Sequence, residues 1–90
     1  MRGDSMISIL SRLIDPTRGD FSRAAAEAVL AINFPDADLK RVSELSDKSN
    51  AGTLTADEAA EYDSYIAAGD FLSLLKSKAR LSLKEHSSAA

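Results

Sequence analysis

With 90 residues, no cysteine, 14 acidic and 11 basic side chains and a net charge of −3, the chain has room for one domain (residues 1–90) and lacks the groups for disulfides or cysteine zinc sites. Its 44% hydrophobic and 28% charged content suits a folded domain, and the mild acidic balance argues against a nucleic-acid partner, which selects a basic face. No apolar run approaches the roughly 18 residues of a membrane span, and the stretch from Met6 to Ile14, broken by Ser8, Ser11 and Arg12, lacks a secretory cleavage site, so the cytoplasm is the expected location.

Helical punctuation recurs along the whole chain. Asp4 and Ser5 are candidate caps for a first helix carrying Met6, Ile9, Leu10 and Leu13 at helical spacing. Asp15-Pro16 ends it, because the residue before proline is pushed out of the α region. A second helix starts near Asp20 or Ser22 and runs through an alanine-rich stripe to Ile32. After Asn33-Phe34-Pro35 a third begins, with Pro35 in its first turn and Asp36 and Asp38 at the positive end of its dipole. Leu39, Val42 and Leu45 face inward, and Gly52 closes this helix in the left-handed conformation. Thr55 and Glu58 form a capping box for a long final helix, expected to reach about Lys84. That helix is acidic at its start and basic at its end, as its dipole favours. Residues 86–90 are expected to fray. The result is an all-α fold, a bundle of about four helices with a long C-terminal one. A chain of this size buries only about two-thirds of its unfolded surface, so help from a second copy or another protein is expected. The expected core is Ile9, Leu13, Val29, Ile32, Val42, Leu45, Ile66, Leu72 and Leu75.

Catalytic chemistry finds no constellation. The single histidine, His86, falls in the expected tail, away from any nucleophile. Asp57, Glu58 and Glu61 sit on a solvated first helical turn, where nothing raises a carboxylate's pKa. The glycines match no phosphate loop, and no cofactor site is expected. The segment 47–58 has the length of an EF-hand loop, with Asp47 at position one, Gly52 at six, Leu54 at eight and Glu58 at twelve. Ser49 and Ala51 stand where acidic or amide ligands belong, so a calcium binder is the alternative and a structural turn at Gly52, Thr55 and Glu58 the preferred reading. Lys76, Lys78, Arg80 and Lys84 complement the helix dipole and lack the aromatic interleaving of a nucleic-acid surface.

The last helix offers a partner-facing surface. Tyr65, Ile66, Ala68, Leu72, Leu75, Ala79 and Leu83 fall on one broad side. Leu74 and Leu81, seven residues apart, fall on the other with Asp63, Asp70 and Lys78. Two leucines in heptad relation among charges predict an interface at Leu74, Leu81, Lys78 and Asp70, for another protein or for a second copy.

Leu13-Ile14-Asp15-Pro16, Phe34-Pro35 with Asp38, Gly52-Thr53-Leu54-Thr55 with Glu58, and Lys78-Ala79-Arg80 with Leu81 together resemble a family of small bacterial all-α proteins of unknown function. Relatives there start a helix with Leu-Ser-Pro-Glu where this chain has Phe21-Ser22-Arg23-Ala24. Such genes often lie near HNH-type nuclease genes, so the resemblance implies an accessory or antitoxin-like partner of a nuclease and carries no catalytic residues. The expected function is a non-enzymatic protein–protein interaction module acting through its C-terminal helix, whose exposed acids could mimic nucleic acid toward a basic nuclease.

Overall fold

The computed structural model describes residues 5–88. It is all-α, with α1 at Met6–Ile14, α2 at Arg23–Leu30, α3 at Asp36–Ala51 and α4 at Ala56–Ser88, and no strand among the described residues. Local chemistry accounts for the starts of α1, α2 and α4 and for the ends of α1 and α3. The Ser5 hydroxyl accepts from the Ser8 amide (3.2 Å) and the Ser22 hydroxyl from the Ala25 amide (3.1 Å), each supplying an orphan donor of a first turn with a partner. Asp4, the other cap candidate, lies outside the described residues. Asp15 ends α1 at φ 52°, unusual for a side chain other than glycine. Its carboxylate accepts from the Thr17 amide (3.2 Å) and hydroxyl (2.5 Å), an Asx-type turn that steadies this backbone.

Two boundaries differ from expectation. α2 ends at Leu30 rather than Ile32, and α4 runs past Lys84 to Ser88. The extension has a tertiary cause, since His86 Nε2 lies 3.0 Å from the carbonyl of Phe21. Ala89 and Ala90, the rest of the expected tail, lie outside the described residues.

Contacts gather in two compact units. One contains the chain up to Ile32 and from Asp70 onward; the other is Asn33–Gly69. In the first, the 15–22 segment is strapped to α4. Phe21 N–H donates to Ser82 Oγ (3.1 Å), and that hydroxyl donates to the Lys78 carbonyl (2.8 Å). Lys78, only 4% exposed, donates to the Asp15 carbonyl (3.1 Å), pairs with Asp20 at 2.5 Å and lies 5.2 Å from the Phe21 ring centroid. A buried ammonium needs such partners, because desolvation without them is costly. Gly19 lies so close that a Cβ would stand 2.9 Å from backbone atoms of Leu81 and Ser82. Ala26, Ala79 and Ser82 are fully buried here, small residues that permit near backbone approach.

In the second unit α3 and the first half of α4 are clipped together. Leu45 is fully buried. Arg41 forms a bidentate pair with Glu61, both bonds at 2.8 Å, and Lys48 pairs with Glu58 at 2.5 Å.

The expected core is corrected at four positions. Leu13 is 75% exposed, and Ile9, Ile32 and Ile66 are each more than two-fifths exposed; Leu39, expected to face inward with Val42 and Leu45, is likewise 53% exposed. The apolar arc of α1 is wider than the side that packs: Ile7, Leu10, Ser11 and Ile14 are half-buried, which leaves Met6, Ile9 and Leu13 outward beside Ser8 and Arg12. Ile32 sits beyond the end of α2. In α4 the half-buried Tyr65 takes the inward position in place of its neighbour Ile66.

Candidate functional site

Of the four residues expected at an interface, the structure brings two together. Leu74 and Asp70 line an open groove of about 520 Å³ with Ser73, Ser77 and Arg80 of α4 and Ile7 and Ser11 of α1. Lys78 and Leu81 are elsewhere. Lys78 is buried in the strap, and Leu81 is half-buried with its backbone against Gly19. The surface drawn from Leu74, Leu81, Lys78 and Asp70 is therefore corrected, because the 15–22 segment already covers its Lys78 and Leu81 end. A local sequence pattern cannot reveal a loop returning from some sixty residues away.

The apolar side of this unit that stays open is on α1. Met6, Ile9 and Leu13 are 75%, 43% and 75% exposed, at i, i+3 and i+7, so they share one helical face. The residues that line the groove, Ile7 and Ser11, belong to the opposite part of the same helix. The sequence signal for the open face was present, since Met6, Ile9 and Leu13 form a periodic stripe; its orientation was not.

At the α3–α4 turn, Gly52 adopts φ 72°. Its N–H donates to the Ser49 carbonyl (3.1 Å) and the Thr53 N–H to that of Lys48 (2.9 Å), the paired bonds of a Schellman ending. Thr55 N–H donates to Glu58 Oε1 (3.0 Å) while Glu58 N–H donates to Thr55 Oγ1 (3.1 Å), a reciprocal capping box. The salt bridge from Lys48, then the Thr55 amide, hold the Glu58 carboxyl down to about 2. This geometry bears directly on calcium. Asp47, Ser49 and Ala51 belong to the last turns of α3 rather than to a loop, and the Glu58 carboxylate already accepts from Lys48 and Thr55. The segment 47–58 thus lacks the wrapped backbone that turns successive oxygens toward one ion. Among the described residues, no group of three or more His, Asp or Glu is placed to hold a metal.

The second unit has a groove that sequence reasoning did not single out. Phe34, Asp38, Glu61, Ser64, Tyr65 and Ala68 line an open cleft of about 400 Å³. The Phe34 and Tyr65 rings meet edge to face, centroids 6.0 Å apart at 66°. The Tyr65 hydroxyl donates to Asp38 Oδ1 (2.6 Å), which raises the phenol's pKa. Bonding to Arg41 lowers that of Glu61 and raises that of Arg41 in turn. The four lining residues from 61 to 68 recur at helical spacing on α4, but only the fold places Phe34 and Asp38 against them.

No helix among the described residues is long and apolar enough to cross a membrane. No protein-family model, curated protein or solved structure matches this chain.

Proposed function

We propose that the protein is a non-enzymatic interaction module that inserts the outward face of α1 into a groove on another protein, in the cytoplasm. The observation that carries this reading is the exposure of Met6, Ile9 and Leu13 on a helix whose other side is packed. Spacing of i, i+3 and i+7 is that of anchors in helix-in-groove recognition. Burying a side chain of this kind contributes about 1.5–3 kcal/mol before the costs of association. A nine-residue helix offers less than the roughly 800 Å² per partner of a standard interface, which favours a partner that wraps the helix over a flat pairing of two copies. An accessory or antitoxin-like partner of a nuclease, the role implied by the family resemblance, fits this mode of binding.

The test compares proteins captured by the parent chain with those captured by a Met6→Asp/Leu13→Asp variant and by Leu39→Asp, a control at a 53% exposed leucine in the other unit. All three should keep their helical circular dichroism, since each position is solvent-facing. A partner retained by parent and control but lost from the double variant is the expected result. Capture unchanged by the double variant overturns the reading, and sedimentation of the purified parent as a dimer that the variant dissociates replaces the partner with a second copy.

A further inference from the structure

The groove of the Asn33–Gly69 unit has a composition that the α1 surface does not use. Its walls combine two aromatic rings, Phe34 and Tyr65, with two carboxylates, Asp38 and Glu61. These carboxylates are not equivalent. Both oxygens of Glu61 are taken by the Arg41 fork at 2.8 Å, so its charge is balanced in place. The Asp38 contact is with a neutral donor, the Tyr65 hydroxyl, which orients the carboxylate and leaves its charge uncancelled. The surroundings reinforce that charge. Residues 33–69 contain eight carboxylates against three basic side chains, Lys40, Arg41 and Lys48. Two of the three are occupied, Arg41 with Glu61 and Glu44 and Lys48 with Glu58.

A planar cation suits this arrangement. An arginine guanidinium stacks on an aromatic face and presents a fork of donors to a carboxylate, and it sheds water more readily than an ammonium does. We propose that the Phe34–Tyr65–Asp38 groove binds an arginine side chain of a basic peptide segment on a partner protein. The Tyr65 and Phe34 rings hold the guanidinium plane, and Asp38 accepts from its N–H groups. The acidic unit as a whole draws the basic segment in, an attraction that salt weakens. This site is distinct from α1, and its failure leaves the reading of α1 untouched.

The probe is an acetylated, amidated Gly-Arg-Gly-Arg-Gly peptide titrated into the ¹⁵N-labelled protein, with the lysine analogue in parallel. Saturable amide shifts centred on residues 34, 38, 64, 65 and 68, with tighter binding of the arginine peptide, are expected. Tyr65→Leu and Asp38→Asn should each weaken binding about tenfold, the loss that corresponds to one stacking or charge-assisted contact. Tyr65→Phe keeps the ring and should bind within about threefold of the parent, which separates loss of the site from loss of the fold. Lysine and arginine peptides of equal affinity, or shifts spread evenly over Asp36, Asp57 and Asp63, overturn the proposal in favour of diffuse electrostatics. So does binding unchanged by Asp38→Asn, or no saturable binding at all.

Discussion

Replacing Gly19 by alanine isolates the strap between the 15–22 segment and α4. The backbone of Gly19 does not need a left-handed conformation, so alanine is conformationally acceptable there. Its methyl group is not, because it would stand 2.9 Å from Leu81 C, Leu81 O and Ser82 N. These are backbone atoms of a helix and cannot swing aside as a side chain would. The segment must lift by several tenths of an ångström, and the contacts that depend on its position then stretch: Phe21 N–H to Ser82 Oγ at 3.1 Å, and Lys78 Nζ to Asp20 at 2.5 Å and to the Asp15 carbonyl at 3.1 Å. Overpacking costs about 1–3 kcal/mol, and each weakened hydrogen bond adds up to about 1 kcal/mol, so a loss of about 2–3 kcal/mol is expected. For a domain of this size that corresponds to a fall in Tm of roughly 10–20 °C. Urea and thermal unfolding followed by circular dichroism measure it. Gly69→Ala is the control, since its Cβ would meet only a Phe34 ring carbon at 4.0 Å and the gain in helix propensity should raise stability by up to about 1 kcal/mol. A Gly19→Ala protein as stable as the parent within 0.5 kcal/mol (about the error of such comparisons) would refute the close approach of this segment to α4.

Further perturbations test other parts of the structure. Leu45→Ala, which empties a fully buried site, should cost about 2–5 kcal/mol in urea unfolding, whereas Leu13→Ala, at 75% exposure, should stay within about 0.5 kcal/mol. Gly52→Ala meets no atom within 4 Å but inherits φ 72°, so it should lose about 1 kcal/mol of stability, and Gly52→Asn less. Acid should weaken the fold through Glu58. Its folded-state pKa is depressed from 4.5 to about 2, so its contribution is fully present above pH 4.5 and is lost as the pH falls toward 2. Urea midpoints measured across that window should fall in the parent and fall less steeply in Glu58→Gln; parallel curves would refute the Lys48–Glu58 and Thr55–Glu58 contacts.

Much of the fold was legible because helix ends are written in local chemistry. A serine whose hydroxyl reaches the amide three residues on, a glycine that alone tolerates a left-handed ending, and a threonine and glutamate that cap each other act within a few residues. The faces of the helices were less legible. One wheel drawn over all of α4 assumes one set of neighbours, yet its first half packs with α3 and its second with the 15–22 segment. Hence Lys78, which looks like an outward charge, is nearly buried, because Asp20, the Asp15 carbonyl and the Phe21 ring replace its water.

The candidate sites divide in the same way. Met6, Ile9 and Leu13 were visible as a helical stripe, but the pattern does not say how much of a wide apolar arc the rest of the fold covers. Phe34, Asp38 and Tyr65 carried no joint signal, since 27 residues separate Asp38 from its hydrogen-bond partner Tyr65. From the sequence alone came the helices and most of their caps. Tertiary structure decided which apolar and charged side chains remain available to a partner, because burial depends on contacts between distant segments that no local spacing encodes.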